Sequence, residues 1–348
     1  MSVNRSITRK QLFTLFALLS FLILSGACSS SRKLPGEGVT VKMARATWET
    51  GWFQAEIFKQ LLEELGYQVD DIETLETVPF YFFSAGGDVD FWANGWFPLH
   101  NRFLEFDQVN NKVKLVGFQV EKGALQGYLV DKKTAEELQI TNLKDFQDPE
   151  IVKVFDGDGD GKADLIGCNP GWGCEGVIEH HLDVYNLRDR ITHVQGEYTT
   201  LMKNTVARFQ RGEPVFFYTW TPNWTVSELV IGEDVVWLGV PFSALPDDPN
   251  VNTATGNLFG CLEIPCDTGF GVNDIRVVAN SKFLETNPAA DTLFELFSIS
   301  LDDIASQNAR MASGEDSQED IHRHAEAWIE THRDQVDQWL EAAREAAE

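Results

Sequence analysis

The chain has 348 residues, with 54 Asp and Glu against 28 Lys and Arg for a formal net charge of −26, 43% hydrophobic residues, five Cys, 24 Phe and ten Trp. That apolar content excludes a disordered chain, and the acidic balance excludes an electrostatic nucleic-acid binder, which needs clustered Lys and Arg to displace counterions from phosphates. The length suits one large or two ordinary domains, each with a real core.

In chain order, Arg5, Arg9 and Lys10 precede an apolar run over residues 12–24 that is too short to span a bilayer as a stable helix. This is the pattern of a signal peptide over residues 1–27. It ends in Leu24-Ser25-Gly26-Ala27-Cys28, which resembles the lipobox of bacterial lipoproteins, so Cys28 is expected to carry a lipid. Ordinary signal-peptidase cleavage at the same bond, giving a soluble periplasmic protein, is the alternative. Exported chains pair their thiols, and Cys168, Cys174, Cys261 and Cys266 make two local pairs that leave Cys28 over. Residues 28–38 then read as a lipid-anchored tether.

Val39, Val41 and Met43 alternate with polar residues as a first strand, and Phe53, Ile57, Phe58, Leu61, Leu62 and Leu65 recur at helical spacing until Gly66. Further strands are expected over 113–120, 127–130, 215–218, 235–240 and 275–279. Asn287-Pro288 opens a helix running to Phe297, and Ile321, Ala325, Trp328, Ile329, Val336 and Trp339 trace one apolar stripe near the C-terminus. Alternating elements of this kind predict an α/β architecture, and at this length two lobes around a ligand cleft.

Three stretches can aim chemistry into such a cleft. In Asn94-Gly95-Trp96-Phe97-Pro98-Leu99-His100, Gly and Pro force irregular backbone beside an indole and an imidazole. Gly167-Cys168-Asn169-Pro170-Gly171-Trp172-Gly173-Cys174-Glu175-Gly176 can present bare backbone N–H groups to an anion, above all if a helix begins from Val177 onward. The third, Phe216-Phe217-Tyr218-Thr219-Trp220-Thr221-Pro222-Asn223-Trp224, is an aromatic strand ending in a turn. Indole faces attract a quaternary ammonium, which offers no N–H of its own, by about 0.5–2 kcal/mol per face. A cage beside an anion nest fits a zwitterion, whereas core packing is the commoner use of an indole.

These motifs, with Gly157-Asp158-Gly159-Asp160-Gly161-Lys162-Ala163-Asp164-Leu165, Gly127-Tyr128-Leu129-Val130-Asp131-Lys132-Lys133-Thr134-Ala135, Val235-Val236-Trp237-Leu238, Val240-Pro241-Phe242-Ser243-Ala244-Leu245-Pro246 and Asn287-Pro288-Ala289-Ala290, resemble the glycine betaine/proline betaine-binding proteins of osmoprotectant ABC importers. The resemblance spans nearly the whole mature chain. It implies a two-lobed periplasmic-binding-protein fold of type II with ligand in the interlobe cleft. The cage tryptophans map onto Trp96, Trp172 and Trp220, and the carboxylate contacts onto His100 and the backbone N–H groups of Gly173 and Cys174. A Cys168–Cys174 bridge follows the family pattern and would stiffen the anion nest. Cys261–Cys266 has no counterpart there and rests on export and proximity. Trp48 and Trp52 lie in a stretch that departs from the family and are left as core or rim. Crossovers near 123–127 and 269–274 would divide the chain into lobe A, 39–124 plus 275–348, and lobe B, 125–274.

Asp156, Asp158, Asp160 and Asp164, with the Lys162 carbonyl, stand at the spacing of an EF-hand-like loop, so a structural Ca²⁺ is one reading and an acidic Asp-Gly turn the other. Cys174 near His180 and His181 raises a nucleophile or metal reading. Export argues against a free thiol, and two surface histidines on a helix explain the pair. No catalytic residue and no required cofactor are expected. The expected protein is a monomeric binding component that takes a small betaine and meets a permease driven by an ATPase. It would be held at the membrane through its lipid and make no nucleic-acid contact. Recognition of choline, carnitine or ectoine on the same frame, or a solute sensor without a transporter, are the alternatives.

Overall fold

The computed structural model describes residues 33–248 and 251–348. The signal peptide, Cys28 and the start of the tether lie outside the described residues. In chain order the strands are β1 (Thr40–Val41), β2 (Met43–Ala46), β3 (Gln68–Val69), β4 (Glu73–Leu75), β5 (Phe91–Phe97), β6 (Val113–Asp131), β7 (Ala163–Ile166), β8 (Ile191–Val194), β9 (Phe216–Thr221), β10 (Val235–Leu238) and β11 (Asn273–Asn280). β1 and β3 form a small parallel pair. The other nine form one mixed sheet in the order β4-β2-β5-β11-β6-β9-β7-β8, with β10 also on β6.

The sheet has two halves, and β6 belongs to both. From Val113 to Ala124 it pairs antiparallel with β11, and from Leu125 onward with β9. The sequence suggests separate strands over 113–120 and 127–130; the structure has one strand of 19 residues. The polar, glycine-containing stretch between them reads as a break because the pairing partner changes there. Left-handed backbone at Gly117 (φ 56°) and Lys122 (φ 49°) and register shifts against β11 let the strand bend while its ladder continues.

Each half contributes its own aromatic packing to one continuous core. In the first, the apolar face of the helix Trp52–Glu64 drives Phe58 against Phe297, Phe294 and Phe91, with ring centroids 4.4, 5.4 and 5.9 Å away. Gly66, at φ 90°, provides the left-handed turn beyond that helix. The C-terminal apolar stripe is carried by two helices, Gln318–Thr331 and Arg333–Ala346, with the break at His332. Arg333 forks onto both carboxylate oxygens of Glu64 at 2.8 and 2.7 Å, which ties the last helix to the first half. In the second half, Phe146 stacks on Phe216 at 4.3 Å and meets Phe155 at 5.4 Å. Among the described residues, no helix is long and apolar enough to cross a membrane.

Both expected cysteine pairs are bridged, Cys168 to Cys174 and Cys261 to Cys266, with Cα separations of 6.0 and 6.1 Å. His181 is not the surface residue the sequence suggests. It is fully buried, facing the Tyr128 hydroxyl through Nδ1 at 2.7 Å and the Ala244 carbonyl through Nε2 at 2.9 Å. The carbonyl can only accept, so Nε2 carries the proton and Nδ1 accepts from Tyr128. His180 and His181 are therefore not a matched pair on one surface, and His181 serves to fix β6 against the 244 loop.

Candidate functional site

Where the two half-sheets meet, Trp48, Trp96, Leu99 and His100 from the first half face Gln126, Trp172, Gly173, Cys174, Tyr218 and Trp220 from the second across one shared cavity. The structure thus brings all six residues expected at the ligand site to one hollow and adds Trp48 as a fourth indole. Among the described residues, no ionised side chain lines it.

The indoles are held by their edges. Trp172 touches Trp48 and Trp220 edge-to-face, with centroids 5.4 and 5.6 Å apart, and Tyr198 closes the stack behind Trp220 at 4.5 Å. Trp96 comes from β5, whose residues are all buried, and Trp220 from β9, where it lies opposite Gln126 on β6. Strand alternation then sends Tyr218, two residues earlier, to the same side.

The anion end is built by a helix start. The helix Gly173–Val184 begins four residues earlier than the sequence suggests, with Trp172 as its cap and no side chain capping it. The N–H groups of Gly173 and Cys174 stand in the first turn, where an α-helix has no acceptor of its own to offer and the dipole favours negative charge. Gly173 is needed for closeness. A Cβ there would lie 2.8 Å from Leu99 Cγ and 3.5 Å from His100 Cδ2, so only glycine lets this turn approach the 99–100 corner.

His100 is 2% exposed. Its Nδ1 accepts from the Trp96 backbone N–H at 3.4 Å and stands 3.3 Å from the Tyr81 hydroxyl. An N–H can only donate, so the neutral ring carries its proton on Nε2 and offers it as a donor. Burial lowers its pKa from 6.5 to about 3, as it does for His181. The unfolded chain takes up these protons near pH 6.5 and the folded chain only near 3, so the stability due to both rings is full above 6.5 and lost as pH falls toward 3. The imidazole signals of His100 and His181 are therefore expected to stay fixed in an NMR titration from about pH 8 to about pH 5, and ligand affinity to change less than about twofold over that range. A His100 midpoint near its ordinary value would contradict this.

Gln126, missed in the sequence, is 1% exposed. Its Oε1 accepts from the Tyr218 hydroxyl at 2.6 Å, while Nε2 has no partner in the protein. A buried donor left so costs about 1–3 kcal/mol, which a ligand acceptor in the cavity would offset.

The acidic loop lies elsewhere in the second half. Carboxylate oxygens of Asp156, Asp158 and Asp160 come within 4.8 Å of one another. They accept N–H groups of the loop itself, from Gly159, Gly161, Asp160 and Lys162. Asp164 is outside this group: it sits in β7 and its carboxylate accepts from Gly157 N at 3.0 Å. The Lys162 ammonium bonds the Arg188 carbonyl at 3.1 Å.

A cavity between two α/β half-sheets, lined by indole faces and uncharged donors, defines a solute-binding protein of the periplasmic-binding-protein fold. Residues 39–331 match the family described as the substrate-binding domain of ABC-type glycine betaine transport systems. The chain is 45% identical over 326 residues to the glycine betaine-binding periplasmic protein OusX of Dickeya dadantii, covering 93% of this chain and 96% of the relative. It is 44% identical over 324 residues to the glycine betaine/proline betaine-binding periplasmic protein of Escherichia coli, with 93% and 96% covered. Among solved structures, lactococcal OpuAC in its closed conformation with glycine betaine superposes with a TM-score of 0.65 at 18% identity, covering 87% of this chain and 99% of that one. A choline-binding protein of an ABC transporter in complex with choline gives 0.67 at 17% identity, with 87% and 92% covered. The chain belongs to the family of substrate-binding domains of ABC-type glycine betaine transport systems. It is a binding protein of an importer, not an enzyme.

Proposed function

We propose that this chain binds glycine betaine, and proline betaine with it, in the cavity between the half-sheets and delivers it to a membrane permease driven by an ATPase. The observation that carries the reading is the pairing of four indoles, on a wall without formal charge, with free helix-start N–H groups and the His100 donor. A net-neutral zwitterion needs no counter-charge. Trp96, Trp172 and Trp220 would face its methylated nitrogen, and His100, Gly173 and Cys174 its carboxylate.

The half-sheets would act as the two lobes, 39–124 with 275–348 and 125–274, and β6 with the approach to β11 as the crossovers. Ligand touching both halves shifts the population toward the closed form, which is what a permease would sense. In this reading the monomer is held outside the cytoplasmic membrane by a lipid on Cys28. A calcium ion at Asp156, Asp158 and Asp160 would be structural and take no part in transport.

Calorimetric titration with glycine betaine, proline betaine, choline and proline tests the proposal. Both betaines are expected to bind more tightly than choline or proline; preference for an uncharged sugar would defeat it.

A further inference from the structure

Trp48 lines the same cavity as Trp96, Trp172 and Trp220, and the destinations of the four indole N–H groups reveal a common support. Trp48 and Trp96 both donate to Oδ1 of Asn94, each at 2.8 Å. Trp172, on the other side of the cavity, donates to Thr47 Oγ1 at 2.8 Å, and Trp220 to Thr50 Oγ1 at 3.3 Å. The Thr47 hydroxyl is in turn 3.3 Å from Glu76 Oε2, to which it donates, leaving its lone pairs toward Trp172. Between the two threonines, Glu49 accepts from Thr199 of the helix Tyr198–Gln210 at 3.2 Å. Gly51 completes the arrangement: a Cβ there would lie 3.0 Å from Asn94 Cγ, so the segment abuts Asn94 only because residue 51 has no side chain.

Residues 47–50 leave β2 in the first half, yet their three side-chain bonds to Trp172, Trp220 and Thr199 all reach the second half. An indole whose N–H is engaged is restrained in its rotation, so the acceptor helps set the orientation of the ring. The N–H bonds that hold Trp172 and Trp220 are therefore made only when the segment meets the second half, whereas those of Trp48 and Trp96 stay within the first.

We propose that residues 47–50 are the clasp of the ligand site: Trp48 is a fourth cage wall that sets preference for a fully methylated nitrogen, and Thr47 and Thr50 are positioning residues for Trp172 and Trp220. The inference rests on the betaine reading above. A wall in contact with one methyl group separates a trimethylated nitrogen from a dimethylated one, because the smaller head leaves that face without a partner atom. The hydroxyls couple completion of the cage to closure, since each bond joins the two halves.

The test is calorimetric titration of the full mature chain and its variants with glycine betaine and N,N-dimethylglycine. Trp48→Ala is expected to weaken glycine betaine binding about tenfold and dimethylglycine binding only about twofold, so the preference narrows about fivefold, with Trp48→Phe intermediate. Thr47→Val, which keeps shape and loses the acceptor, is expected to weaken glycine betaine about fivefold, and Thr47→Ser to restore it. If Trp48→Ala does not fold, the narrowed preference of Trp48→Phe and the Val and Ser pair at Thr47 decide the matter. Glycine betaine binding by the unchanged chain, with affinity and preference in the Trp48 variants within twofold of it, would overturn this inference alone. No betaine binding by the unchanged chain would overturn the site reading and this inference together.

Discussion

Trp172→Ala is expected to lower glycine betaine affinity about thirty- to hundredfold, a loss of roughly 2–3 kcal/mol. Trp172 is the ring on which the cage converges: it touches Trp48 and Trp220 and stands 6.0 Å from Tyr198, so its removal opens one wall and frees its neighbours. A single desolvated face supplies about 2 kcal/mol toward a quaternary ammonium, and the loosened neighbours account for the remainder. The ligand-free protein should also melt earlier, because the ring is only 6% exposed and its N–H holds Thr47. Trp172→Phe separates the two effects. It keeps an aromatic face and most of the packing, and should cost about fivefold in affinity. Equal affinity of the Ala variant and the unchanged chain, measured calorimetrically, would remove Trp172 from the site.

Gly173→Ala is expected to weaken the same ligand about thirtyfold by a different route. Residue 173 has no left-handed backbone that would exclude alanine, so the cost is steric: the new Cβ would lie 2.8 and 3.0 Å from Leu99 Cγ and Cδ2. Relieving that overlap, at about 1–3 kcal/mol for an overpacked site, moves the first-turn N–H groups away from His100. The carboxylate would lose its grip while the cage stays intact, so tetramethylammonium, a cation without a carboxylate, should bind within about threefold of its original affinity. Leu99→Ala in the Gly173→Ala background removes the obstructing atoms and should recover part of the loss. Equal losses for glycine betaine and tetramethylammonium would instead mean that the substitution disturbs the fold as a whole.

Much of this site is legible in the sequence because its parts are local. Trp172, Gly173 and Cys174 fall in one glycine-rich run between two cysteines, and Trp96 and His100 flank one proline, so a short stretch carries each group and its unusual backbone together. The start of the helix Gly173–Val184 is harder to read, since two of its first four residues are glycine and propensity argues against them. Bridging of Cys168 to Cys174 and burial of Gly173 and Cys174 override that preference.

Trp48 and Gln126 belong to the other kind. Trp48 is a lone indole in a polar segment, and nothing in residues 46–51 tells that Asn94, more than forty positions later, accepts from both it and Trp96. Gln126 looks like a polar break in a strand, and it acquires meaning only when β9 sets Trp220 opposite and Tyr218 takes its oxygen. The same non-locality hid the continuity of β6, which turns on a change of pairing partner at residues 124 and 125. His181 is a further instance: spacing alone cannot distinguish a helix face toward solvent from one against Tyr128.

The most direct measurement takes the calorimetric comparison to its two limiting ligands. Choline keeps the trimethylated nitrogen and lacks the carboxylate; glycine keeps the carboxylate and lacks the methyl groups. If indole faces hold one end while the Gly173 and Cys174 amides and His100 hold the other, glycine betaine should bind at least about tenfold more tightly than either. Affinity for glycine equal to that for glycine betaine would mean that the tryptophans do not enclose the nitrogen, and the account of the cavity would be wrong.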